Sequence, residues 1–225
     1  GEKIDKLLKD GYSTLSLGYI GIYETTKLMT GESHTCQKGH DFALKLMTTL
    51  RNTTDKWKHD TGLGFALYGT PAESLCGLQV EQFRKKFGVV EHVSDRAYVS
   101  NSFHCHVSEN ITPIQKQNIE NRFWNLFNGG KIQYVKYPVS YNKKAIKTLI
   151  NRAMEMGFYE GVNLSLSYCD DCGHQELNMD VCPKCGSRNL TKIDRMNGYL
   201  SYSRVKGDTR LADHKMEEIA DRVSM

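Results

Sequence analysis

The sequence predicts an α/β fold of about five strands, followed by a small cysteine-rich module. Up to about residue 165, short apolar segments alternate with longer segments whose apolar residues recur every three or four positions. This alternation of strands and helices is typical of a largely parallel sheet. Near Ser167 the composition changes, because cysteines, glycines and short polar links replace the alternation. We therefore divide the chain into residues 1–166, 167–190 and 191–225.

Three elements are predicted in the first part of the chain. Residues 12–17 and 63–68 are short apolar segments that predict strands. Between them, residues 36–59 predict a long amphipathic helix, in which Leu46 and Leu50 lie four positions apart on one face.

The stretch TPAES predicts the start of the next helix. Thr70 is expected to cap this helix, with Pro71 at its first position. Glu73 would then complete a capping box with Thr70, and the helix is expected to end at Gly88.

A strand, a helix and another strand are predicted after residue 97. Residues 98–107 and 131–139 resemble strands in their apolar and β-branched composition. Between them, Thr112 and Pro113 repeat the helix-start pattern, and this helix is expected to end before Gly129.

The last helix and strand of the α/β part complete the pattern. Asn142 is expected to cap a helix that ends at Gly157. Residues 162–168 predict a final strand.

The composition indicates a globular protein without a membrane partner. The 225 residues are 39% hydrophobic and 25% charged, which is ordinary for a globular chain. The net charge of +4 is compatible with an anionic substrate but does not demand a nucleic-acid surface. No apolar run approaches the roughly 18 residues of a membrane span. We therefore expect neither a membrane nor a nucleic-acid partner.

The compartment expected from the cysteines is the cytoplasm. The polar N-terminal segment lacks the apolar region of a secretory signal. Seven cysteines without such a signal indicate reducing conditions, in which close cysteine pairs more often bind a metal. The chain begins with Gly1 instead of Met, so a processed product or one piece of a longer enzyme is expected.

The segment CDDCGHQELNMDVCPKCG contains two Cys-x-x-Cys pairs, and each pair is followed by a glycine. These cysteines predict one closed, tetrahedral zinc site with a structural role: Cys169, Cys172, Cys182 and Cys185. The alternatives are two disulfides or a rubredoxin-like iron site, of which the reducing compartment disfavours the disulfides.

The other cysteines are predicted to be small buried residues and not nucleophiles: Cys36, Cys76 and Cys105. His104 and His106 flank Cys105, and on a strand they would share one face. A packed or phosphate-facing histidine pair is preferred over a metal-binding pair.

The segment RMNGYLSYSR begins 10 residues after the last of the four cysteines. Its glycine, Gly198, is either an ordinary turn residue or a residue with a chemical role. Arg-x-x-Gly-Tyr alone is a weak pattern, and the turn interpretation is preferred for the isolated motif.

The wider sequence changes this preference. The stretch RMNGYL, the cysteine pairs before it, TPAES and SNSFHCHV together resemble the C-terminal part of anaerobic (class III) ribonucleoside-triphosphate reductases, which are glycyl radical enzymes. The resemblance covers essentially the whole chain. It implies half of a ten-stranded α/β barrel, then a four-cysteine zinc module and a C-terminal glycyl radical loop.

The resemblance also implies the chemistry of the loop. Gly198 would store a radical at its Cα, since only glycine lacks a Cβ that would crowd a planar centre. A separate activase with an iron–sulfur cluster and S-adenosylmethionine would generate this radical. The radical would pass to a cysteine, and the resulting thiyl would take the 3' hydrogen of a ribonucleoside triphosphate. The 2' hydroxyl would leave as water, with formate or a thiol system as reductant.

The resemblance assigns the receiving cysteine to an N-terminal half that precedes the region seen here. The implied partners are that half, the activase and the nucleotide substrate, and the full enzyme is expected to be a homodimer. By itself this chain is not expected to reduce ribonucleotides.

Four further residues are candidate neighbours of the substrate. Glu73 has either the local capping role or, by resemblance, a place at the active site, where a raised pKa would allow proton transfer. Asn101, Ser102 and His104 lie near the predicted end of a strand, where ligand sites of α/β folds usually form.

Two other functions are weighed against the reductase. A stand-alone radical carrier or companion subunit would lack its own catalytic cysteine. A zinc-ribbon nucleic-acid module would need basic and aromatic residues on one face, but here Lys184 and Arg188 are mixed with Asp170 and Asp171.

Overall fold

A computed structural model describes residues 4–9, 12–69, 71–137 and 142–223, and its first part is an α/β fold, as predicted. The α/β part contains α1 (Asp5–Leu8), β1 (Thr14–Gly18), α2 (Ile22–Thr30), α3 (Gln37–Thr61), β2 (Gly64–Tyr68), α4 (Leu75–Phe87), α5 (Pro113–Trp124), β3 (Gln133–Val135), α6 (Lys143–Glu155) and β4 (Glu160–Val162). The remainder contains β5 (Ser165–Cys169), β6 (Gln175–Leu177), β7 (Leu190–Arg195), β8 (Leu200–Val205), β9 (Asp208–Thr209) and α7 (Asp213–Asp221).

Parallel strands form the layer of the α/β part. β1 pairs with β2, and β3 pairs with β4, each in parallel. A parallel bridge between Gly69 and Lys131 joins the end of β2 to the start of β3. The four strands therefore run in one direction in the order β1, β2, β3, β4, which agrees with the predicted parallel sheet.

The main apolar core lies where α3 and α5 pack near β2. Met47, Leu67, Phe103 and Phe123 are fully buried there. The Phe103 ring lies 4.6 Å from the Phe127 ring, centroid to centroid. Burial of each such side chain contributes about 1.5–3 kcal/mol. This core therefore fixes the segment around Phe103, although that segment has no regular structure.

A separate antiparallel sheet follows the parallel layer. Its strand order is β6, β5, β7, β8, β9, so β7 lies at the centre. The small apolar cluster of this sheet contains Cys169, Met179, Cys182 and Leu190. Two of its four members are cysteines, so a bound ion would supply much of the stability of this sheet.

Two predicted helix starts are confirmed in detail. Thr112 caps α5 and forms a reciprocal capping box with Gln115. Asn142 accepts a hydrogen bond from the Ala145 N–H at the start of α6. Local side-chain signals were sufficient in both cases, because the capping partners lie within one helical turn.

The predicted capping box of α4 is wrong. The helix begins at Leu75, so Glu73 lies before it, with a left-handed backbone φ of 41°. The Ala72 N–H donates to Asn101 Oδ1 over 3.0 Å, which holds this segment outside the helix. Thr70, the expected cap, lies outside the described residues. The predicted end at Gly88 is confirmed.

The predicted strand over residues 98–107 is also wrong. The segment is buried but irregular, and one bridge joins its Asn101 to Ile20. Backbone groups that would pair in a sheet bind carboxylates instead: the Ser100 N–H donates to Glu24 and the Cys105 N–H to Glu120. The described part of the parallel layer therefore contains four strands where about five were expected.

The last predicted strand, over residues 162–168, corresponds to two strands in different sheets. β4 ends at Val162 in the parallel layer, whereas β5 belongs to the antiparallel sheet. β5 also spans the boundary placed after residue 166. For the strand predicted over residues 131–139, β3 accounts for the centre, and residues 138 and 139 lie outside the described residues.

The predicted burial of the three isolated cysteines is correct for two of them. Cys76 and Cys105 are buried, but Cys36 is exposed because it precedes α3 at the surface. His104 and His106 are buried with different partners, Glu120 and Arg96 respectively, and so do not form a pair on one face. Among the described residues, no helix has the length and apolar character needed to span a membrane.

Candidate functional site

The four cysteines of the two Cys-x-x-Cys pairs lie together, as the sequence predicts. Their Sγ atoms all lie within 4.8 Å of one another. The Sγ atoms of Cys169 and Cys185 are 3.6 Å apart, as are those of Cys172 and Cys182. Thiolates around a tetrahedral zinc ion at about 2.3 Å would lie about 3.8 Å apart. A disulfide requires about 2.05 Å, so the spacing fits one shared ion.

Two glycines allow the cysteine pairs to turn sharply. Gly173 and Gly186 have φ values of 73° and 74°, in the left-handed region that other residues rarely adopt. Their N–H groups donate to the carbonyls of Cys169 and Cys182. This geometry directs both thiols of each pair to the same side. Zn²⁺ and iron both accept a tetrahedral four-thiolate set, and metal analysis distinguishes them.

Removal of an ion held by the four cysteines should unfold the antiparallel sheet and leave the parallel layer folded. The reason is the small apolar cluster of this sheet, half of which consists of ligand cysteines. With a strong chelator, hydrogen exchange should become fast over residues 165–209 and stay slow over residues 43–67. Cys182→Ser should lose the ion, whereas Cys36→Ser should retain it. Unchanged protection over residues 165–209 in metal-free protein would contradict the expectation.

Gly198 lies in the loop that joins β7 to β8. The Met196 N–H donates to the carbonyl of Tyr199, which closes the loop at its base. Gly198 and Tyr199 are exposed, while Met196 and Asn197 are buried. The loop thus presents Gly198 at the surface on a base fixed by its buried neighbours.

Neither the backbone nor the packing requires a glycine at position 198. Gly198 is not among the residues with a left-handed φ. A Cβ at this position would meet only Glu73 Oε1 within 4 Å, at an ordinary contact distance of 3.6 Å. The usual reasons for a turn glycine are therefore missing, and the interpretation of Gly198 as an ordinary turn residue loses its support.

Glu73 binds the backbone of the Gly198 loop. Its Oε1 accepts hydrogen bonds from the N–H of Gly198 at 2.9 Å and from the N–H of Asn197 at 3.1 Å. Its Oε2 lies 2.9 Å from Lys215 Nζ. The structure therefore brings together two residues singled out in the sequence, Glu73 and Gly198.

A buried charged cluster on α7 supports this contact. Glu218 pairs with Lys215 on one side and with Arg222, at 2.9 Å, on the other. Arg222 Nη2 also donates to Asn197 Oδ1 at 2.8 Å, and Asn197 Nδ2 donates to Glu218 Oε1 at 3.2 Å. These side chains fix the residue that immediately precedes Gly198.

The protonation states of this cluster follow from its charges. Burial alone would raise the pKa of Glu218, but Arg222 and Lys215 hold it below the usual value. Burial alone would lower the pKa of Lys215, but Glu218 and Glu73 raise it above the usual value. Both residues are therefore charged at neutral pH.

The close packing of α7 on α4 places this cluster beside Glu73. A Cβ at Gly77 on α4 would lie only 2.3 Å from the His214 ring of α7, so a glycine is needed there. The Tyr98 hydroxyl donates to Asp221 at 2.7 Å and joins α7 to the segment 98–107.

The three predicted substrate neighbours are all buried. Asn101 accepts from the Ala72 N–H and so fixes the residue next to Glu73. Ser102 has a left-handed φ of 45°. The His104 ring packs 4.2 Å from the Tyr134 ring, and burial lowers its pKa. Asn101 is thus linked to the Glu73–Gly198 contact, and the roles of Ser102 and His104 stay predictions.

Sequence reasoning missed the cluster on α7. One signal was present: Lys215, Glu218 and Arg222 have the i, i+3, i+7 spacing that places charged residues on one helical face. Such a pattern usually indicates a solvated face, and only the tertiary structure shows that this face is buried.

Comparison with known proteins relates the whole chain to one family. A family model for anaerobic ribonucleoside-triphosphate reductase matches residues 1–225. The enzyme of that name from Escherichia coli (strain K12) is 34% identical over 210 residues, which cover 88% of this chain and 30% of the relative. The enzyme from Enterobacteria phage T4 is 34% identical over 215 residues, or 92% of this chain and 34% of the relative. The chain thus spans about a third of the length of these relatives.

Solved structures share the fold. One anaerobic ribonucleotide reductase superposes with a TM-score of 0.73 at 20% identity, over 95% of this chain and 34% of that chain. The anaerobic ribonucleotide reductase of Thermotoga maritima with MES in the active site gives a TM-score of 0.67 at 22% identity, over 84% of this chain and 32% of that chain. Because the family model matches the entire chain, this protein belongs to the anaerobic ribonucleoside-triphosphate reductase family.

Proposed function

We propose that this chain is the radical-bearing portion of an anaerobic ribonucleoside-triphosphate reductase and that Gly198 stores the radical. One observation is central to the proposal: Gly198 is an exposed glycine that neither backbone strain nor packing requires. Membership of the reductase family supports the same assignment. The proposal thus gives a chemical reason for a glycine at position 198, which the fold itself does not require.

The chemistry at Gly198 begins with loss of one hydrogen atom from Cα. The remaining electron is delocalised over the amide nitrogen and the carbonyl, which requires a planar centre. Glu73 accepts a hydrogen bond from the N–H of this same residue and thereby orients its peptide plane. Asn101 is proposed to position Glu73 through the Ala72 backbone.

The proposal assigns the remaining parts of the reaction to other components. A separate activase with an iron–sulfur cluster and S-adenosylmethionine would remove the hydrogen atom. A cysteine in the N-terminal part of the enzyme would receive the radical and take the 3' hydrogen of the ribonucleoside triphosphate. The 2' hydroxyl would leave as water, and formate or a thiol system would supply the electrons.

The architecture proposed for the complete enzyme is a homodimer of ten-stranded α/β barrels. The four parallel strands described here would form part of one barrel. Cys76 and Cys105 are buried, and burial raises the pKa of both thiols, so neither resembles a reactive thiolate. This supports a receiving cysteine other than Cys76 and Cys105.

The four-cysteine site is proposed to bind zinc with a structural role. Four thiolates complete a tetrahedral set and leave no open position for a substrate. The ion would be bound at the end of β5, through Cys169, and Leu190 of β7 belongs to the same small cluster. β7 leads directly to the Gly198 loop. The ion would therefore affect the reaction indirectly, because it would help to fix the position of the Gly198 loop.

The stand-alone radical carrier is a second candidate, because the Gly198 loop is exposed and could pass a radical to a separate polypeptide. Addition of a separately produced N-terminal part distinguishes the two functions, because only the reductase interpretation predicts deoxyribonucleotide formation. The family match over the whole chain disfavours a nucleic-acid module.

Anaerobic activation followed by electron paramagnetic resonance tests the proposal. The chain is incubated with S-adenosylmethionine and a family-matched activase, and a doublet from the remaining Cα hydrogen is expected. The doublet should collapse to a singlet when the glycines are deuterated at Cα. Exposure of the activated protein to air should then cut the chain at position 198, and mass spectrometry would identify the fragments.

Protein from the same preparation that has not been activated is the control, and it should stay intact in air. A doublet that is unchanged by deuteration, or an intact chain after a verified radical has met oxygen, would remove Gly198 from the role.

A further inference from the structure

A cavity of about 460 Å³ lies between the antiparallel sheet and α7, next to the base of the Gly198 loop. Its volume is within the range of about 300–1,000 Å³ that small-molecule sites usually have. β7 and β8 line one side, and α7 with the residue after it lines the other. Five cationic residues contribute to the wall: Lys136, Lys192, Arg195, Arg204 and Arg222.

The two carboxylates of the cavity wall do not balance this charge. Asp180 pairs with Lys192 at 2.5 Å, and Asp194 accepts a hydrogen bond from Ser203. Within the described part of the chain, no carboxylate forms an ion pair with Lys136, Arg195 or Arg204. Burial lowers the pKa of Lys136, and the positive charge of Arg222 adds to this shift.

Several residues that line this cavity also contain buried polar atoms without a partner. Arg195 Nε, Arg222 Nε, Asn163 Oδ1 and Ser165 Oγ are buried, and none has a hydrogen-bond partner within the described residues. Arg222 and Asn163 are only 7% and 5% exposed. All four residues line the cavity. Buried polar groups almost always have a partner, so these four groups make the layer directly behind the cavity surface strongly polar.

The position of Arg195 is built into the fold. A Cβ at Gly161 of β4 would lie 2.7 Å from Arg195 Nη2, so the guanidinium rests directly on the β4 backbone. A larger residue at position 161 would push this guanidinium away from the wall of the cavity. The cationic wall therefore depends on a specific glycine.

We propose that this cavity binds a small molecule that bears phosphate groups. The cations belong to different elements around the wall, and one carboxylate could not reach them all. A diphosphate or triphosphate presents several oxygens in different directions, and arginine binds such oxygens in a bidentate manner.

The site connects to the Gly198 loop through the same arginines. Arg222 Nη1 donates to the carbonyl of Arg195 at 3.2 Å, while its Nη2 binds Asn197. A ligand held by both guanidinium groups would therefore restrain the residues on either side of Met196. Binding itself requires no radical, so this inference goes beyond the function proposed above.

Calorimetric titration of the full 225-residue chain with inorganic pyrophosphate and with ATP tests the proposal. Saturable binding with one site is expected at low ionic strength. Lys136→Gln combined with Arg204→Gln should weaken the affinity at least tenfold, because both charges line the cavity. Lys144→Gln combined with Arg188→Gln removes the same charge from exposed positions outside it and should change the affinity less than twofold.

Hydrogen exchange over residues 195–199 provides a second measurement. Saturating pyrophosphate should slow exchange there in the wild-type chain and have no such effect in the Lys136/Arg204 variant. Similar affinities for pyrophosphate and ATP would mean that the phosphates alone are recognised, and tighter ATP binding would add contacts to the nucleoside. Absence of saturable binding to the folded chain, or equal weakening by the two double variants, would overturn the proposal.

Discussion

Gly198→Ala should abolish the radical signal completely and leave the chain folded. Its Cβ would meet only Glu73 Oε1, at 3.6 Å, and the backbone is outside the left-handed region. A change of this kind typically alters the free energy of unfolding by less than about 1 kcal/mol. Because the added Cβ would crowd the planar radical centre, the activated variant should show no doublet by electron paramagnetic resonance.

Gly207→Ala is the matched control for this variant. Gly207 lies in the turn between β8 and β9 with a φ of 85°, so alanine is strained there. We expect a loss of about 1–2 kcal/mol in the free energy of unfolding, together with an undiminished radical doublet. A doublet in Gly198→Ala, or its absence in folded Gly207→Ala, would contradict the assignment of the radical to position 198.

Glu218→Ala should be the most destabilising single change in the cluster on α7. It would leave Lys215 and Arg222 buried without their shared carboxylate. Breaking a buried ion pair by removal of one partner typically costs about 3–5 kcal/mol. Urea unfolding should show this loss, and the released Asn197 should also lower the yield of radical after activation.

Glu155→Ala is the control for this loss, since Glu155 is an exposed carboxylate on α6. It should change the free energy of unfolding by no more than about 0.5 kcal/mol. The folded-state pKa of Glu218 is depressed, so its contribution exists above the ordinary glutamate pKa and is lost as the pH falls through the folded value. The stability difference between wild type and Glu218→Gln should therefore shrink in acid. Equal losses in the two alanine variants would show that the cluster contributes no stability.

The features that local sequence determines were predictable. The four cysteines lie within 17 residues, and their Cys-x-x-Cys spacing requires only tight turns. The caps of α5 and α6 involve residues three positions apart. In each case the chemistry of a few neighbouring residues was sufficient, without knowledge of the tertiary structure.

The features that depend on distant residues were not predictable from these patterns. Glu73 and Gly198 are 125 positions apart, and the local capping pattern assigned Glu73 to a different partner. The segment 98–107 has the composition of a strand, but its backbone binds Glu24 and Glu120 from two helices. The composition of a segment indicates which backbone conformation the segment itself favours. It does not reveal side chains of distant residues that compete for its backbone hydrogen bonds.

The length of β7 determines how far a rotation at the cysteine cluster would displace the Gly198 loop. Leu190, beside the cysteine cluster, and Arg195, at the loop, are separated by five strand steps, or about 17 Å. On a lever arm of this length, a rotation of about 10° at the cluster would displace the loop by about 3 Å. The hydrogen bond from Gly198 to Glu73 is only 2.9 Å long, so such a rotation would break it. The resistance of the cysteine module to rotation therefore determines how accurately Gly198 is positioned relative to Glu73.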